Sequence, residues 1–134
     1  MPTPLRKTSI PRKTTARESL RKPTAVPPMT SSLRETLGVS AEALARLLQV
    51  SSKTVNRWEE QAHNPRNPIQ ISRLYKLKEI VDLGRRIYSP DGLREFLASP
   101  QPVFDGRTAF QLMTIGEYDA VIGALATDLE GLGS

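Results

Sequence analysis

From Thr30 to the end of the chain, apolar residues recur in stripes at helical spacing, and residues that start or stop helices bracket each stripe. The stretch SSLRETLG (31–38) has Ser32 as a cap, Glu35 three residues on in the capping-box position, and Gly38 as a stop. Ser40 then caps AEALARLL, whose Leu44, Leu47 and Leu48 form one apolar stripe. A short QVS turn (49–51) follows, with Ser51 as the cap of a third helix over about Ser52 to Gln61. The two prolines of HNPRNP (63–68) break the pattern and mark a boundary. Beyond it, Ile71, Leu74, Leu77, Ile80 or Val81, Gly84 and Ile87 or Tyr88 predict a long amphipathic helix of about five turns. Ser89–Pro90 supplies an N-cap and first-turn pair for a short helix over DGLREFLAS, which ends before Pro100 and Pro102. The last third predicts an apolar plug at Val103–Phe104, a turn at Asp105–Gly106 and a short helix over about Thr108 to Met113. A final helix over about Glu117 to Leu129 carries Val121, Ile122, Leu125 and Leu129 on its apolar face. The fold class predicted is all-α.

Two short helices joined by so short a turn make a helix-turn-helix candidate. Ala45 lets the two backbones approach, and Val50, Val55 and Trp58 fill the angle between them. That leaves Ser52, Lys53, Asn56 and Arg57 on the outward face of the third helix, side chains able to donate to base edges and phosphates. The helix start adds backbone N–H groups suited to a phosphate. The plainer alternative is a helix pair used only for packing or dimerisation.

Charge changes the picture once it is divided along the chain. Residues 1–29 hold seven Lys or Arg against Glu18 alone, with six prolines and few apolar side chains, so a disordered basic arm is expected there. Such an arm is either a solubilising tail or a source of salt-dependent, sequence-independent affinity for phosphates. Residues 30–68 and 69–98 are nearly neutral, whereas residues 99–134 hold Arg107 against five acids. The ends are expected to meet different partners. The basic residues of the long helix mostly have acids near them and read as a solvated face.

Candidate catalytic chemistry is thin. There is no cysteine, the lone His63 sits in the proline-rich break, and no nucleophile–base pair or phosphate loop accompanies the acids Glu117, Asp119, Asp128 and Glu130. No metal, no cofactor and no enzymatic activity are expected. With no apolar run near the length of a membrane span, and no apolar block after the basic start, the expected protein is soluble and cytoplasmic, without a membrane partner.

The segment LARLLQVSSKTVNRWEE (44–60) resembles the helix-turn-helix of Xre-type, phage-repressor-like regulators. The resemblance implies that Ser51, Ser52, Lys53 and Arg57 stand where such proteins contact DNA, with Asn56 nearby. It departs at Gln49, where the family favours a glycine for its positive φ. A second resemblance lies further on. Pro102, Phe104, Gly106, Thr108, Leu112, Met113, Gly116, Glu117, Val121 and Leu125 follow the pattern of the toxin-binding domain of Xre–MbcA–ParS antitoxins, with Ala109 where many members have proline. Together the two cover about residues 33–131.

This resemblance implies an antitoxin paired with a RES-domain toxin that consumes NAD⁺. Its C-terminal domain blocks the toxin, and its helix-turn-helix represses the operon encoding the pair. It also implies a homodimer on a palindromic operator and a larger hetero-oligomer with toxin. The implied organisation is an arm over 1–29, a DNA-binding domain over 30–68, and a toxin-binding and dimerisation domain over 69–134. Exposure and resemblance nominate Phe104, Glu117, Tyr118, Asp128, Leu129 and Glu130 for toxin contact. A stand-alone repressor whose C-terminal helices only dimerise is the alternative.

Overall fold

The computed structural model describes residues 28–132, and the basic arm expected over 1–29 lies outside them except for Pro28 and Met29. The described residues are helical, without a strand: α1 (Met29–Leu37), α2 (Ala41–Leu48), α3 (Ser52–Glu60), α4 (Pro68–Ile87), α5 (Pro90–Ala98), α6 (Ala109–Thr114) and α7 (Tyr118–Leu132), with a 3₁₀ turn at Pro102–Phe104. The all-α class expected from periodicity is the class observed.

Most helix starts follow local chemistry. The hydroxyls of Ser40, Ser51 and Ser89 accept from the backbone N–H groups of Ala43, Thr54 and Gly92. Asn67 Oδ1 accepts from both Ile69 N and Gln70 N, and Pro68 occupies the first turn of α4, where its missing N–H costs nothing. Thr108 and Gln111 form a full capping box at α6.

The start of α1 differs from expectation. It begins at Met29 rather than after Ser32, and the Ser32–Glu35 box is not formed. The reason is tertiary. Met29 N donates to Asn64 Oδ1 at 2.9 Å, Pro28 O accepts from Ser31 N and Ser32 N, and Thr30 is buried beside Leu33 and Leu37. An end satisfied from a distant loop needs no serine. Gly38 terminates α1 in the left-handed conformation, as expected.

One continuous set of buried side chains runs from Leu33 in α1 to Leu125 in α7. Leu44, Ala45, Leu47, Leu48, Val55 and Trp58 join α2 to α3, and Leu74, Leu77, Ile80 and Val81 make α4 the central element. Along α4 lies α7, packed through Tyr118, Val121 and Leu125. Crossing the far end of α4 is α5, where a Cβ added at Gly84 would stand 2.4 Å from Leu93 Cδ1, so glycine alone permits this approach. Short α6 sits against α2, α5 and α7. The α2–α3 pair therefore shares its core with the C-terminal half.

Candidate nucleic-acid interface and C-terminal surface

The left-handed turn between α2 and α3 is made by Gln49, with φ 60° and ψ 42°. This is the left-handed conformation that glycine adopts most readily, and a side chain in it costs about 1 kcal/mol. The Gln49 amide has a use that glycine could not supply: Nε2 donates to Thr114 O at the end of α6, 3.2 Å away. The next anchor is Tyr118, whose buried phenol donates to Leu47 O at 2.6 Å. Burial pushes this phenol above its usual pKa, against the nearby Arg73 charge, which lowers it.

Beyond this turn α3 presents two unlike faces. Val55 and Trp58 are buried, whereas Lys53, Asn56 and Arg57 are exposed and, at three- and four-residue spacing, share one face. Ser51 is exposed but occupied, because its hydroxyl caps Thr54 N and lies 2.9 Å from Thr54 Oγ1. Ser52 is half-buried. At its other end α3 is held to α1 by a bidentate pair, Arg34 Nε and Nη2 to the two carboxylate oxygens of Glu59 at 3.0 and 2.8 Å. Hydrogen bonding to Glu59 raises the Arg34 pKa, partly opposed by burial. A rigid helix thus carries two cations and an amide outward, a set able to meet phosphates and base edges.

The C-terminal candidates do not form one surface. Phe104 is 4% exposed and Tyr118 is 3% exposed, so the exposure expected of them is corrected. The 3₁₀ turn points Phe104 inward and leaves Val103 68% exposed, which splits the expected plug. Glu117, Asp128 and Glu130 are exposed, and Leu129 is half-buried. An open groove of about 630 Å³, floored by Phe104 and edged by Val103, Ala120, Gly123 and Asp128, brings only Phe104 and Asp128 of the six together. Beside the start of α7, Gln49, Ile69, Arg73, Lys76 and Tyr118 line a smaller cleft of about 430 Å³, which meets the groove at Asp119. Lys76 Nζ pairs there with Asp119 at 2.6 Å.

Sequence reasoning missed the anchors Gln49, Tyr118 and Asn64 and the ion pairs Arg34–Glu59 and Lys76–Asp119. Only the Thr108–Gln111 box had a local signal, the T-x-x-Q spacing. Among the described residues, no group of three or more His, Cys, Asp or Glu could hold a metal, and no helix is long and apolar enough to cross a membrane.

Over the described residues the arrangement is an all-helical fold in which α3 turns its Lys53–Asn56–Arg57 face outward from a larger helical core. No protein-family model matches the chain, and no curated protein matches it. Among solved structures, it is similar to a chain of the M. tuberculosis MbcT–MbcA toxin–antitoxin complex, at 24% identity and a TM-score of 0.63 over 77% of this chain and 92% of that one. At this identity the likeness establishes a shared fold.

Proposed function

We propose that this protein is the antitoxin of a toxin–antitoxin pair, that its C-terminal half binds and blocks the toxin, and that α3 reads the operator of their shared operon. The observation that carries the reading is the exposed Lys53–Asn56–Arg57 face on a fold shared with nearly the whole of a chain from a toxin–antitoxin complex. A DNA-facing helix suits the regulatory member of such a pair, since the toxin itself has no need of one. The sequence resemblance extends the proposal to a RES-domain toxin that consumes NAD⁺. It also supports a cytoplasmic, non-enzymatic protein that binds DNA as a homodimer and forms a larger assembly with toxin.

Residues 99–132 hold five acids, Asp105, Glu117, Asp119, Asp128 and Glu130, against the single cation Arg107. This acidic end suits a toxin whose NAD⁺ cleft is electropositive. Asp128, Leu129 and Glu130 remain the proposed contacts, together with Glu117. Phe104 and Tyr118 support the surface from beneath.

The test is a tagged pull-down from the native cell with mass spectrometry of whatever binds stoichiometrically. A small partner that depletes NAD⁺ once freed from this chain is the expected result. Recovery of the chain alone, as a dimer that still binds its own promoter, would leave the stand-alone repressor.

A further inference from the structure

The groove between the 3₁₀ turn and α7 is apolar inside and acidic along one side. Val103 and Phe104 line it from the turn, and Ala120, Gly123 and Thr127 line it from α7, side chains small enough to let another backbone approach. Asp119 and Asp128 also line it from α7, about 14 Å apart at 1.5 Å of rise per residue. Asp119 is paired with Lys76, whereas no ion pair among the described residues engages Asp128. Asp105 stands exposed beside Phe104. Charge decides what fits here. A second copy laid α7 against α7 would set Asp119 and Asp128 against their own equivalents. The opposite charge lies on the same chain: LRKTSIPRK (5–13) holds Arg6, Lys7, Arg12 and Lys13, no acid, and the apolar Leu5 and Ile10.

We propose that residues 5–13 dock in this groove within the same molecule, with Ile10 against Val103 and Phe104 and the two cation pairs on Asp119 and Asp128. Lys7 and Arg12 can stand at most about 18 Å apart along the chain, enough to bracket the two carboxylates with Ile10 between them. The chain from Ile10 to Pro28, where the described residues begin, reaches at most about 60 Å, against about 35 Å across a domain of this size. Tethering holds the segment at a local concentration on the order of millimolar, so a weak contact is enough to keep it seated. The rim charges are exposed, so the contact weakens as salt rises. The segment then covers Asp128 and competes there with the proposed toxin, a consequence that alone rests on the functional proposal.

The chain has no cysteine, so Ser9→Cys places a single nitroxide label on the full chain. The amide signals of Ala120, Gly123 and Thr127 are expected to be lost to the label at about 10 mM salt, where the Debye length is about 30 Å, and to return at about 1 M, where it is about 3 Å. At low salt the signals of Ala120 and Thr127 should also return when Asp119→Asn is combined with Asp128→Asn. The same is expected of Gly123→Leu, which fills the groove from a position whose Cβ meets nothing within 4 Å. Undiminished signals at low salt, loss spread evenly over the surface, or loss that persists in either variant overturns the docking. Loss of the same signals in an unlabelled, isotope-enriched chain mixed with the labelled one overturns the contact within one molecule. Neither toxin nor DNA is present, so failure here leaves the functional proposal standing, and a pull-down without a partner leaves the docking standing.

Discussion

Gly84→Ala tests the tightest crossing in the fold. The new methyl would stand 2.4 Å from Leu93 Cδ1, 3.0 Å from Cδ2 and 3.2 Å from Cγ, against an ordinary carbon–carbon contact of about 3.5 to 4.0 Å. Because all three branch atoms crowd the same point, turning the leucine end does not relieve the clash, and Leu93 is buried. Overpacking of this kind costs about 1–3 kcal/mol, and the gain from replacing a helical glycine returns up to about 1 kcal/mol. The net expectation is a loss of up to about 2.5 kcal/mol. Gly123→Ala is the control, since nothing lies within 4 Å of its Cβ and the helix gain of about 0.5–1 kcal/mol stands alone. Urea unfolding followed by circular dichroism, at unchanged m, reads both. If Gly84→Ala raises the midpoint as Gly123→Ala does, α4 and α5 do not cross as closely as described.

Four further outcomes are expected. Lys53→Ala with Arg57→Ala should weaken DNA binding and reduce the slope of log affinity against log salt by about 1–2, while the unfolding midpoint barely moves. Phe104→Ala should cost about 3–5 kcal/mol, so any loss of partner binding in it reports stability, whereas Asp128→Ala should keep the fold and weaken partner binding alone. Glu59→Gln should cost about 1 kcal/mol in thermal unfolding, through loss of the paired bonds to Arg34. Burial raises the Tyr118 and Tyr88 pKa values in the folded state, so their contribution is complete below the unfolded tyrosine pKa of about 10. It should be lost as pH rises through the folded values, and Tyr118→Phe should flatten that alkaline decline.

The elements legible in the sequence were those whose ends close locally. Ser40, Ser51 and Ser89 each cap a helix from one position before it, and Gly38 ends one by its own backbone freedom. Lys53, Asn56 and Arg57 were legible as an outward face because Val55 and Trp58 define the inward one within a single turn of helix. What depended on distant partners was not. Asn64 moves the start of α1, and Leu47 draws the Tyr118 phenol inside. Gln49 read as a departure from a glycine position until Thr114 gave its amide a partner. Phe104 and Tyr118, nominated for contact on exposure and resemblance, lie inside because the 3₁₀ turn buries one and the distant Leu47 carbonyl holds the phenol of the other.

Intracellular NAD⁺ is the quantity to follow in cells producing the copurified partner alone and then together with this chain. Loss of NAD⁺ with the partner alone, restored by the wild-type chain and by Lys53→Ala with Arg57→Ala, is the expected result, because the proposal assigns inhibition to the C-terminal half. NAD⁺ that is never depleted, or depletion that this chain leaves untouched, would contradict the proposed role as an antitoxin against an NAD⁺-consuming toxin.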